Sequence, residues 1–71
     1  MSTTSTLVHD QSNIVIGDLV LTVAPPTDRS TMEIVVERDA SLVLKAPRSA
    51  TTEVAETFIS SKRSWIYRKL A

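Results

Sequence analysis

Four basic residues and two aromatics crowd into the last twelve positions, SSKRSWIYRKLA, where Lys62, Arg63, Arg68 and Lys69 interleave with Trp65 and Tyr67. Cations beside aromatic rings can hold a nucleic-acid strand by pairing with phosphates and stacking on bases. A stripe that tracks a phosphate backbone must be continuous. On a wheel turning about 100° per residue with Val54 at zero, Lys69 falls at about 60°, Lys62 at about 80°, Arg63 at about 180° and Arg68 at about 320°. The four do not share one face. Over the whole chain eight acidic residues balance eight basic ones, so no net field draws the protein to a polyanion. Complementing a helix dipole and keeping the helix solvated explain these charges better than nucleic-acid binding.

Other groups capable of chemistry are sparse. His9 is the single histidine, with Asp10 beside it, in a polar opening stretch. An imidazole that acts as a base or metal ligand needs a second group to hold it, and a flexible tail offers none. Glu33 and Glu37 alternate outward on one strand, roughly 13 Å apart, too far to share a proton or a metal. Serines and threonines abound, but no positioned base accompanies them. The single glycine, Gly17, rules out a glycine-rich phosphate cradle. With no cysteine there is no disulfide framework, thiol nucleophile or cysteine-based metal site, as expected of a reducing, cytoplasmic setting. The residues therefore nominate no catalytic, cofactor-binding or metal-ligating side chain.

The elements that would position any site follow from periodicity. Residues 1–11 lack the cationic start and apolar run of a secretory signal and read as a disordered tail. No run approaches the roughly 20 apolar residues that cross a bilayer, so no membrane partner is expected. Ile14 and Ile16, then Leu19, Leu21 and Val23, alternate with more exposed positions on either side of Gly17-Asp18. A two-residue loop there pairs Ile16 with Leu19 and Ile14 with Leu21, which puts one apolar set on one face. Pro25 and Pro26 stop the second strand. Met32, Ile34 and Val36 then alternate, as do Leu42, Leu44 and Ala46. Parity settles the second turn. A three-residue loop, residues 38–40, pairs Val36 with Leu42 and Ile34 with Leu44, whereas a two-residue loop would split the apolar sets. The last loop position, Ala40, is then left-handed, a conformation that favours glycine.

After Pro47 the period becomes helical. Thr51 or Thr52 caps the start, Glu53 and Glu56 sit near it, and the cations sit toward the end. The expected architecture is α+β: one small domain over residues 12–71, with four antiparallel strands in two hairpins and one C-terminal helix packed on the sheet. A chain of this length buries only about 60% of its unfolded surface, so its core is small.

That helix carries two apolar stripes. Val54, Phe58 and Trp65 lie between about 0° and 40°, and Ala55, Ile59, Ile66 and Leu70 between about 100° and 160°. Lys62 and Lys69 fall between them. Either the stripes form one broad buried arc with lysines reaching outward along their stems, or one packs on the sheet and the other awaits a partner. A helix from Thr52 to Leu70 is about 28 Å long, against about 17 Å for a five-residue strand, so its end is expected to overhang. Ile59, Ile66 and Leu70 are the expected interface, covered by a further domain or by a second copy in a weak homodimer.

The segment LVLKAPRSATTEVAETFISSKRSWIYRKL resembles the N-terminal part of the YgjP-like family of zinc-dependent metallopeptidases. Its pieces are Asp28-Arg29-Ser30-Thr31, the turn Asp39-Ala40 where the family has Asp-Gly, the strand at residues 42–47, and Lys62-Arg63-Ser64-Trp65-Ile66. The likeness spans residues 14–70. It implies a metal-dependent hydrolase whose zinc is held by an H-E-x-x-H helix and a further histidine, with the glutamate activating water. None of that signature occurs here. The resemblance thus implies a non-catalytic N-terminal domain or fragment, cut short in the gene or in the expressed piece, with a packing or substrate-presenting role and zinc only in the missing catalytic domain. The alternative is an independent module that binds nucleic acid or protein through its basic helix.

Overall fold

The computed structural model describes residues 6–71, which form an α+β domain. Strands β1 (Asn13–Ile16), β2 (Leu19–Val23), β3 (Glu33–Val36) and β4 (Leu42–Lys45) precede helices α1 (Thr52–Ser61) and α2 (Arg63–Leu70). Both hairpins have the register that parity demands: Ile14 faces Leu21, Ile16 faces Leu19, Ile34 faces Leu44, and Val36 faces Leu42. Both turns use a positive φ, 61° at Gly17 and 71° at Ala40. At the second, where a Cβ is disfavoured, Asp39 Oδ1 accepts from the Ser41 amide at 3.1 Å and the Ser41 hydroxyl at 2.6 Å. These local bonds offset the cost of the left-handed alanine. They also hold the Asp39 carboxyl below its ordinary pKa, the Ser41 hydroxyl contributing most.

The sheet is mixed, not antiparallel throughout as the hairpin pattern suggested. Its order is β1-β2-β4-β3, with β2 and β4 parallel. The two hairpins were readable singly, but their mutual arrangement depends on which strand goes inside. β4 reads Leu-Val-Leu, whereas β3 is flanked by Glu33 and Glu37, which are more easily solvated at an edge. The connection at residues 24–32 is long enough to carry β3 past the position that β4 then fills. It is pinned by a bridge between Thr27 and Pro47, by Arg48 to Asp28 at 3.0 Å and by Arg29 to Glu33 at 3.1 Å.

The expected single helix is broken at Lys62, whose φ and ψ are −106° and 7°. Ser61 donates its hydroxyl to the Phe58 carbonyl at 2.7 Å, and the Lys62 amide donates to Ile59 at 2.9 Å. Such short-range bonds compete with the regular helical ladder and turn the chain. Two pieces of about 15 Å and 12 Å replace one rod of about 28 Å. The expected interface is not left exposed: Ile59 and Ile66 are fully buried within the chain, and Leu70 packs against the core. The second stripe is the one that packs on the sheet.

The stretch expected to be a tail is docked over its described part, while residues 1–5 lie outside the described residues. Val8, in a single turn of 3-10 helix, is fully buried, and its amide donates to Ala50 at 2.9 Å. The Thr52 amide donates back to Thr6 at 2.7 Å. Apolar burial of one valine and closure of α1's approach replace the expected solvent exposure.

Candidate functional site

The helices lie on one face of the sheet, over Ile14, Leu19, Leu21, Ile34, Leu42 and Leu44, all buried. Ala55, fully buried, lets α1 approach closely. The first stripe therefore lies at the border of the core, with Phe58 packed against it and Phe58 and Trp65 toward the β3 side. Val54 is 53% exposed and Trp65 36%, while Phe58 and Met32 are half-buried. Between the outer edge of β3 and the bend of the helices runs a groove of about 610 Å3, lined by Met32, Ile34, Phe58, Lys62, Trp65 and Arg68 among others.

Charge is distributed unevenly around this groove. Lys62 Nζ lies 5.8 Å from the Phe58 ring centre and Lys69 Nζ 5.8 Å from that of Trp65. These are attractive cation-aromatic contacts that leave the charges formally unneutralised. Among the described residues no carboxylate lies within ion-pair distance of Lys62, Arg68 or Lys69. Glu33, also on the rim, is held by Arg29. Three of the four helical cations thus gather around the aromatic stripe.

Arg63 goes the other way. Its guanidinium donates to the Tyr67 hydroxyl at 3.4 Å, and Tyr67 donates in turn to Asp18 in the β1–β2 turn. The Tyr67 hydroxyl, with a smaller contribution from Arg63, holds the Asp18 carboxyl below its ordinary pKa, and Tyr67 raises that of Arg63. This exposed chain of contacts fastens α2 to the first hairpin.

His9 is not the unsupported side chain that a tail implied. Its Nε2 donates to the carbonyls of Ala46 and Pro47, at 2.9 and 3.1 Å, and its Nδ1 is enclosed without a partner. An imidazole so placed is a strut between the N-terminal segment and the end of β4, and its one unpaired nitrogen, Nδ1, is shut away from solvent. Among the described residues no cluster of three His, Cys, Asp or Glu could hold a metal ion. The described residues thus supply no ligand set for a zinc ion, which the resemblance puts only in a further domain. No helix among the described residues is long and apolar enough to cross a membrane.

The far face of the sheet carries four valines among polar residues, with Thr22 between them and Asn13, Glu33 and Lys45 at the border. Val15 and Val20, 57% and 55% exposed, stand beside half-buried Val35 and Val43, and among the described residues no helix covers them. Val15 is opposite Val20, and Val35 is opposite Val43. Sequence reading missed both this face and the groove. The signal was available in the stripes: the aliphatic one contains alanine, which permits close approach, and the aromatic one is flanked by lysines.

Comparison with protein-family models, with curated proteins and with solved structures finds no match.

Proposed function

We propose that the chain is the non-catalytic N-terminal domain of a YgjP-like metal-dependent hydrolase, with a packing role, its sheet seating a catalytic domain that carries the zinc site. The observation that carries this reading is the uncovered valine face of the sheet. Four strands about 4.8 Å apart and four to five residues long present about 300 Å2. Stable association between free proteins takes roughly 800 Å2 per partner. A layer held in the same polypeptide needs less area, because its tether keeps the local concentration high. The strand at residues 42–47 and Lys62-Arg63-Ser64-Trp65-Ile66, which resemble the family's, support the same reading, although Ala40 stands where the family has glycine.

The gene read past codon 71, and the longer polypeptide purified, test it. An H-E-x-x-H sequence downstream and equimolar zinc on the longer polypeptide, but not on residues 1–71, are expected. Absence of that motif, or equimolar zinc on residues 1–71 alone, overturns the proposal. An independent binding module is the rival reading, favoured by one observation: Lys62 and Arg68 line a groove with Trp65.

A further inference from the structure

We infer that the groove beside β3 receives an extended acidic peptide segment, which adds to the sheet as a fifth strand and places an apolar side chain against Phe58 and Trp65. The inference stands whether or not the hydrolase reading does.

The backbone of β3 argues for a strand as the occupant. β3 is an edge of the sheet. The Glu37 amide donates to Ser41 at 2.8 Å, and Glu37 and Ser41 continue the β3–β4 register. Antiparallel pairs alternate between hydrogen-bonded and non-bonded. Bonding at position 37 therefore directs Val35 and Glu33 to β4, and turns the amide and carbonyl groups of Ile34 and Val36 outward. An extended segment finds there an unpaired row of donors and acceptors. Neither proline nor glycine interrupts β3.

The side chains specify what such a segment carries. A fifth strand would point alternate residues toward the helical layer, where Phe58, Trp65 and Met32 offer an apolar wall and Lys62 and Arg68 offer unpaired cations. Its inward positions are best filled by one apolar residue flanked by acids. Its outward positions lie beside Glu33 and Glu37, exposed on the other face, which repel acids and favour neutral side chains. The pattern is acid–x–apolar–x–acid with neutral x. The same two glutamates, and a formal net charge of zero, disfavour a nucleic acid in this position.

Trp65 is the only tryptophan, so its fluorescence reports occupancy directly. The probe is the peptide acetyl-Thr-Asp-Thr-Leu-Thr-Asp-Thr-amide, titrated into the 71-residue protein at low salt. A saturable blue shift is expected. Lys62→Glu with Arg68→Glu should weaken binding at least about tenfold, and added salt should weaken it too, as for any interaction between accessible charges. Both substituted residues are exposed, and an unchanged circular dichroism melt verifies that the variant is folded. N-methylation of the alternate peptide amides that face β3 should also weaken binding about tenfold or more, a loss that a purely side-chain contact would not suffer. Several results overturn the inference: no saturable shift at millimolar peptide, equal binding of the N-methylated peptide, equal binding by the charge-reversed variant, or tighter binding of a thymidine oligonucleotide. A concentration-dependent Trp65 shift without peptide, abolished by dilution, also overturns it, because a second copy would then be the occupant.

Discussion

The C-terminal helices carry two apolar stripes of similar size that ended in opposite environments. Ala55, Ile59 and Ile66 are completely buried on the sheet, whereas Val54 is 53% exposed and Trp65 36%, with lysines laid over the Phe58 and Trp65 rings. Hydrophobicity alone does not separate them, since Trp65 and Phe58 have as much apolar surface to bury as Ile59 and Ile66. Shape does. A row that begins with alanine and continues with branched aliphatics lets a helix lie close on the pleated inner face, while a row with tryptophan and phenylalanine would hold it away. The lesson is that the stripe with less bulk becomes the core, and the bulkier one is left to define the groove.

The largest test of that contrast is truncation within the buried stripe. Ile59→Ala and Ile66→Ala should each cost about 2–5 kcal/mol, read as a drop in the urea midpoint, because each leaves a cavity in a small core. A loss below about 1 kcal/mol at either site would mean that the stripes are exchanged.

Next in size is the link that orients α2 and so keeps Ile66 on the sheet. Tyr67→Phe removes the hydrogen bond to Asp18 and should lower stability at neutral pH. Because folding holds the Asp18 carboxyl below its ordinary pKa, the stabilisation is present above the ordinary aspartate range and lost as pH falls through the folded value. The gap between wild type and Tyr67→Phe should therefore narrow as pH falls below the ordinary aspartate range, and be smallest at the lowest pH at which both proteins stay folded. A gap that stays constant down to that pH would show that the hydroxyl stabilises the fold by some route other than Asp18.

A calibration away from both stripes comes from Ala40→Gly. The alanine sits at φ 71°, so glycine should raise stability by up to about 1 kcal/mol, net of its greater freedom in the unfolded chain. Thermal melts of the two proteins decide it, and a fall of more than about 0.5 kcal/mol would put the strain elsewhere.

The smallest expected effect is at the exposed stripe. Val54→Lys, at a site 53% exposed, should change the urea midpoint by no more than about 0.5 kcal/mol. A loss several times larger would place Val54 in a contact that the comparison of the stripes denies.

Much of this was legible along the chain, and particular residues show where legibility stopped. Period-two alternation around Gly17-Asp18 and around Asp39-Ala40 determined both hairpins, their registers and the left-handed alanine, because the face of each strand residue follows from counting. Pro47, Thr51 and the change of period located the start of the helical segment, and the Thr51 side chain does accept from the Val54 amide at 3.2 Å. Counting has no access to what lies between segments. That β4 enters between β2 and β3, parallel to β2, depended on the relative burial of Leu42-Val43-Leu44 and Glu33, which only the assembled sheet compares. His9 looked unsupported because its carbonyl partners, Ala46 and Pro47, are distant in sequence. The wheel found both stripes and chose the wrong one to leave free, since it assumed a straight helix and the chain bends at Lys62. Local periodicity is a property of neighbours along the chain, and whatever depends on it alone was set before any packing. The strand order, the bend that keeps Ile66 buried and the groove beside β3 come from competition for one small core among segments far apart, and they exist only once those segments meet.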